Sequence, residues 1–150
     1  MGTEPADPFY AACRGPFSGI LRWRELDALW NRLRERAGAG WYIYAVGQSP
    51  PQTPAAPEEL LRFVGELDRR LRKEHREDYC GIVYVDDRKR PEFIKIFDPA
   101  NLGVVCGYSD NPPPPGWILC RVPPKPLENQ QILTARRKRW WQRLWRPRQP

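Results

Sequence analysis

Long apolar runs are missing from this sequence, and no stretch approaches the roughly 18 residues that a membrane-crossing helix needs. The opening segment, MGTEPADPFY, holds acids and prolines but no apolar run behind a positive start, so a secretory signal is not expected. Ala6 stands where a myristoylation motif requires Ser or Thr. Closely spaced cysteines are missing too. Cys13, Cys80, Cys106 and Cys120 lie far apart along the chain, without the C-x-x-C pairing of structural zinc sites. A reducing cytosol and four free thiols are the expectation, and no metal or cofactor is expected. His75 is the only histidine, just ahead of Cys80 in RKEHREDYC. The YCGIV context of Cys80 reads as buried, whereas a thiolate nucleophile needs an electropositive, partly exposed site. Phosphate-binding glycine loops are absent as well. Gly38 and Gly40 precede a strand-like run, and such a loop should follow a strand and open a helix.

The most informative absence is of acids at one end. All 18 Asp and Glu residues lie between Glu4 and Glu128, and that stretch also contains 18 of the 25 Lys and Arg residues, so its net charge is zero. The segment from Asn129 to Pro150 holds the remaining seven bases and no acid, which accounts for the whole formal charge of +7. An electrically balanced body therefore carries a cationic extension.

What is present reads as a globular α+β protein. Hydrophobic residues make up 41% of the chain and charged residues 29%, too apolar a mixture for disorder. The 18 prolines gather in a few places, as punctuation between elements. Residues 1–16 read as an irregular lead. Leu26, Leu29, Trp30 and Leu33 recur at helical spacing in WRELDALWNRLRERAGAG, with Gly38 or Gly40 as the stop. WYIYAV, 41–46, reads as a strand, and the proline-rich 47–56 segment as a loop. A second helix is expected from Pro57, with Leu60, Leu61, Val64, Leu67 and Leu71 on one stripe, acids early and bases late.

YCGIVYV (79–85), EFIKIF (92–97), VVCGY (104–108) and WILCRV (117–122) read as further strands. The strand–helix–strand order over 41–85 suggests a parallel crossover, and the DDRKRP turn suggests an antiparallel pair. The sum is a two-layer sandwich: a mixed, mostly antiparallel sheet of about five strands, with two amphipathic helices on one face. Residues 1–126 would form one domain, and 127–150 a linker and tail.

The stretch DYCGIVYVDD…FIKIFDPANLG…CG…PPPGWIL resembles a small family of bacterial proteins of unknown function, over about residues 23–124. The resemblance implies a bacterial cytosolic protein and brings no activity, cofactor or site residue.

Two groups of residues are candidates for function. In the tail TARRKRWWQRLWRPRQP, Trp141, Leu144 and Trp145 share one helical face beside Trp140. Arg136, Arg137, Lys138, Arg139, Arg143 and Arg146 supply charge. Burying a large apolar side chain is worth about 2–3 kcal/mol, so three indoles need shelter. An acidic protein surface or larger assembly is the expected partner, because Trp and Arg dominate binding hot spots. An anionic membrane surface also suits the composition, with the protein then peripheral at a membrane. Nucleic acid is a weaker alternative, since the neutral body offers no extended basic groove. A further alternative is that the indoles pack on the body itself. The second group is the DPANLG–VVCGYSD region, where Asp98, Asn101, Cys106 and Tyr108 could line the pocket of a small enzyme or ligand-binding domain. Asp86 and Asp87 read as a solvated turn rather than an acid–base pair. No catalytic signature stands out, and an interaction or adaptor role is the leading expectation.

Overall fold

The computed structural model describes residues 7–74, 80–97 and 115–127. Three helices and five strands run in the order α1 (Pro8–Cys13), β1 (Ser18–Ile20), α2 (Trp23–Glu35), β2 (Tyr42–Ala45), α3 (Pro57–Glu74), β3 (Val83–Val85), β4 (Phe93–Ile96), β5 (Trp117–Cys120). The strands form one sheet in the order β1-β3-β4-β5-β2, with every neighbouring pair antiparallel.

Both long helices follow from sequence chemistry. α2 opens with the Glu25 carboxylate accepting from the Arg22 amide at 2.9 Å, which satisfies one of the donors left orphaned at a helix start. α3 begins at Pro57, and Glu59 does the same for the Ala56 amide at 3.1 Å. Their apolar stripes, Leu26, Leu29, Trp30 and Leu33 on α2 and Leu60, Val64, Leu67 and Leu71 on α3, are buried in one core against the sheet. Ile43, Val83, Val85, Ile94, Ile96, Trp117 and Leu119 meet them from below. Trp30 donates its ring N–H to Asp68 at 3.1 Å, and Phe63 packs on Trp117 with ring centroids 4.9 Å apart. The expected α+β architecture, with two amphipathic helices on one sheet face, is present.

Three details differ from the sequence reading. The 41–46 and 79–85 strands do not form a parallel crossover. β2 lies at one edge beside β5, separated from β3 by β5 and β4, and the alternation of directions makes β2 and β3 antiparallel. The strand expected over 79–85 starts only at Val83, because Gly81 adopts φ +76 and redirects the backbone. The Gly81 and Cys80 amides instead donate to the Ile20 and Leu21 carbonyls. Finally, residues 1–16 are not wholly irregular: Pro8–Cys13 is a helix, capped by Asp7 Oδ1 accepting from Phe9 N at 2.8 Å. β1 follows it, where the sequence pattern shows no strand. The VVCGY strand expected at 104–108 lies outside the described residues.

α1 covers the other face of the sheet. Phe9 is fully buried there among Tyr44, Phe93, Ile118 and Cys120, and Val122 and Leu127 pack against the same cluster. Its ring lies 5.6 Å from Phe93 and 6.1 Å from Tyr44. Strand alternation explains the division: Phe93 and Lys95 project to this side, and Ile94 and Ile96 to the α2–α3 side.

A knot of charge secures the start of β4. Glu92 accepts from Arg36 at 3.1 Å and from Arg121 at 2.8 Å, while Arg121 Nε donates to the Ala39 carbonyl at 3.1 Å. Partial burial would raise the Glu92 carboxyl, but the hydrogen bonds and charges of Arg36 and Arg121 outweigh it and hold the group below its ordinary 4.5. A depressed carboxylate contributes stability above its unfolded pKa and loses it as pH falls through the folded one. With the Glu92 side chain 37% exposed and its pairs screened by solvent, Glu92→Gln is therefore expected to cost no more than about 1 kcal/mol at pH 7 in urea titrations. The variant should also show a shallower loss of stability than the parent below about pH 5; equal acid limbs would remove Glu92 as the cause.

Candidate functional site

Both groups of sequence-derived site residues fall outside the described residues. This applies to Arg136, Arg137, Lys138, Arg139, Trp140, Trp141, Arg143, Leu144, Trp145 and Arg146 of the tail. It applies equally to Asp98, Asn101, Cys106 and Tyr108 of the expected pocket, and to His75. The described chain does fix where these segments are attached. The 98–114 segment joins the end of β4 to the start of β5, and the tail follows Leu127, which lies on the α1 side of the sheet.

The tail's point of departure is held by two tyrosines. Tyr10, on α1, donates its hydroxyl to the Pro126 carbonyl at 2.7 Å. The Leu127 amide donates to the Tyr44 hydroxyl, on β2, at 3.0 Å. Burial pushes the Tyr44 hydroxyl above its ordinary 10.0, so it stays protonated while it accepts this bond. The segment 121–127 thus forms a strap lying beside α1. No sequence pattern hints at either tyrosine's role, because the bonded pairs are 116 and 83 positions apart.

Among the described residues, Lys95 is the cation that rises from the sheet beneath α1. Its Nζ donates to the Cys13 carbonyl at 2.8 Å and sits 4.0 Å from the centre of the Phe17 ring. Burial lowers its pKa, with the Cys13 thiol acting in the opposite sense. A cation on the last carbonyls of a helix is favourable, and here it ties the C-terminal end of α1 to β4. α1 is thereby fastened at its start by Phe9, in its middle by Tyr10 and at its end by Lys95.

The other groups that could carry chemistry have structural partners. Asp86 Oδ1 accepts from the amides of Asp87, Glu92 and Phe93 at 2.8, 3.0 and 3.1 Å. Asp87 Oδ1 accepts from Lys89 N at 2.9 Å and Arg90 N at 3.3 Å. Both carboxylates shape the β3–β4 turn, as Asp side chains commonly do. Among the described residues no three His, Cys, Asp or Glu side chains gather closely enough to hold a metal ion. No helix among them is long and apolar enough to cross a membrane.

Comparison with protein-family models, curated proteins and solved structures yields no match to this chain. The resemblance on DYCGIVYVDD and PPPGWIL, and the bacterial origin it implied, therefore gain no support.

The thiols lend themselves to a direct test. Burial raises Cys13 and Cys80 above their ordinary 9.0 and pushes Cys120 up to about 12. Cys80 and Cys120 are also fully buried. At pH 7.5, iodoacetamide followed by peptide mass mapping should leave Cys80 and Cys120 unmodified in the native protein and label both in urea. Rapid native labelling of Cys80 would revive a nucleophilic role for it.

Proposed function

We propose that this protein is a non-enzymatic interaction or adaptor module whose C-terminal tail, Arg136 to Arg146, docks on an acidic surface of a protein partner or larger assembly. The observation that carries this reading is the segregation of charge. The segment after Glu128 holds seven bases, three tryptophans and no acid. Several of the body's cations, by contrast, meet acids of the body. Arg72 pairs with Asp27 and Asp68, Arg88 with Glu25, Arg69 with Glu66, and Arg36 and Arg121 with Glu92. The tail's cations have no acid of their own segment to meet, and its indoles need an apolar contact. Arg and Trp together are the side chains that contribute most at the centres of protein interfaces.

A second reading places the tail on an anionic membrane surface. It is favoured by the spacing of Trp141, Leu144 and Trp145 on one helical face with Arg139, Arg143 and Arg146 around it. Such a helix lies in the headgroup plane, with each base contributing about 1 kcal/mol near acidic lipid.

Both readings predict loss of binding on truncation after Glu128, which keeps every contact described for the body. Poly-L-glutamate and vesicles of phosphatidylserine and phosphatidylcholine serve as the two probes. The full chain is expected to bind poly-L-glutamate with an affinity that falls as salt rises from about 0.05 to 0.3 M. The truncated chain should bind at least about tenfold more weakly. A truncated chain that binds as well as the full one would remove the proposal, and preference for vesicles over poly-L-glutamate would replace the first reading by the second.

A further inference from the structure

The sheet has two outer strands, β1 and β2. An outer strand presents a row of amides and carbonyls that no neighbouring strand takes up, a template for pairing with another chain. On β2 that row belongs to Trp41, Ile43 and Ala45, because the Val46 amide donates to Gly116 on the β5 side and directions alternate along a strand. The chain itself covers this edge. The Ala55 amide donates to the Trp41 carbonyl at 2.8 Å and the Gln48 amide to the Ala45 carbonyl at 3.1 Å. Pro50, Pro51 and Pro54 lie in the covering segment.

β1 is covered differently. The Asp86 amide donates to Phe93 and the Phe97 amide to Ile82, so Ile82, Tyr84 and Asp86 turn their backbone groups toward β4. Val83 and Val85 turn theirs toward β1. Gly19, opposite Tyr84, therefore points both its amide and its carbonyl away from the sheet. Arg88 meets that carbonyl, with Nη2 donating to Gly19 O at 2.7 Å. Nη1 of the same guanidinium pairs with Glu25 Oε2, while Glu25 Oε1 accepts from the Arg22 amide. The β3–β4 turn that carries Arg88 is itself fixed by Asp86 and Asp87. A cationic side chain thus lies across the outer edge of a three-residue strand, held at its tip by a carboxylate of α2.

Without that cover β1 suits pairing with its own copy. Gly19 has no side chain to obstruct an approaching backbone, and Leu21, two residues on, is 57% exposed. Two β1 segments brought together antiparallel about Gly19 make a self-complementary contact, in which the Gly19 residues exchange hydrogen bonds. The same register sets each Leu21 opposite Phe17 of the other copy, an apolar pair that favours the contact.

We propose that Arg88 is a latch on the sheet: bonded to Gly19 and Glu25, it closes the β1 edge to strand addition by a second copy of this chain. The inference is independent of the tail and of what the tail binds.

The test uses the full chain. Arg88→Met keeps the aliphatic length of the side chain and loses every donor. Arg90→Met is the control, in the same turn and with the same change in net charge; the Arg90 side chain is 77% exposed and approaches Glu92 at 3.6 Å. Circular dichroism verifies folding. Arg88→Ala is measured alongside, so that a poorly folded Met variant does not decide the matter. In sedimentation velocity, R88M and R88A should self-associate about tenfold more strongly than the parent, the scale of one backbone hydrogen bond made available. R90M should match the parent. In amide hydrogen exchange, the Gly19 amide of R88M and R88A should gain protection as protein concentration rises. Association of both Arg88 variants equal to that of the parent would overturn the inference. Equal strengthening by R90M would show a general charge effect and overturn it too. Association that leaves exchange at Gly19 unchanged would place the contact elsewhere on the molecule, and the latch would fall.

Discussion

The structure depends on the fact that β5 is buried on both faces. Trp117, Ile118, Leu119 and Cys120 are at most 1% exposed, although alternate residues of a strand point in opposite directions. A strand with no solvent side requires cover above and below. α2 and α3 supply the first, as two amphipathic helices over one half-core. The second must come from elsewhere in the chain, and it comes from the segments near the ends of the described chain: α1 before the sheet begins, and the strap that leaves β5 itself. The position from which the tail departs is thus a consequence of burying Ile118 and Cys120. Covering that face brings Pro126 and Leu127 against Tyr10 and Tyr44.

The parts of this architecture that are legible in the sequence are those with many residues in phase. α2 and α3 run for 13 and 18 residues, so their apolar stripes repeat over several turns and their capping acids and Pro57 mark the starts. β4 is legible through the alternation of Phe93 and Lys95 against Ile94 and Ile96. α1 is not, because six residues give fewer than two turns, and a single side chain, Phe9, carries its burial. β1 has three residues including Gly19, over which the Tyr84 ring lies where a Cβ would come within 3.2 Å. Nothing in the local pattern of Ser18–Ile20 announces that cross-strand cover. The direction of β3 relative to β2 escapes the sequence for a different reason. A strand, a helix and a strand in succession suggest a parallel crossover only when the two strands lie close in a parallel sheet, and here β4 and β5 intervene. Strand order is set by long-range packing that no short window contains.

For the candidate site, what the sequence makes visible is composition, and what it hides is placement. The tail's bases and indoles stand out because an acid-free segment follows a balanced body. The attachment of the strap does not stand out, since Tyr10 and Pro126, and Tyr44 and Leu127, lie far apart in the chain and meet only in the folded structure.

The same placement bears on the alternative in which the tail's tryptophans shelter against the protein's own body. A tail returning to the nearest surface would bring its seven bases toward Arg14, Lys95 and Lys125, with Asp7 as the only carboxylate of α1 and the strap, already accepting from Phe9 N. On the far side, Glu66, Asp27, Asp68 and Glu25 are carboxylates that Arg69, Arg72 and Arg88 already hold. Like charges brought together in a partly desolvated contact oppose the gain from burying indoles, and competition for paired acids returns little, because each pair broken releases a cation. An external acidic surface carries neither penalty. The arrangement that covers β5 therefore also sets the tail's point of departure, beside a helix whose one neighbouring carboxylate, Asp7, is already engaged in capping it.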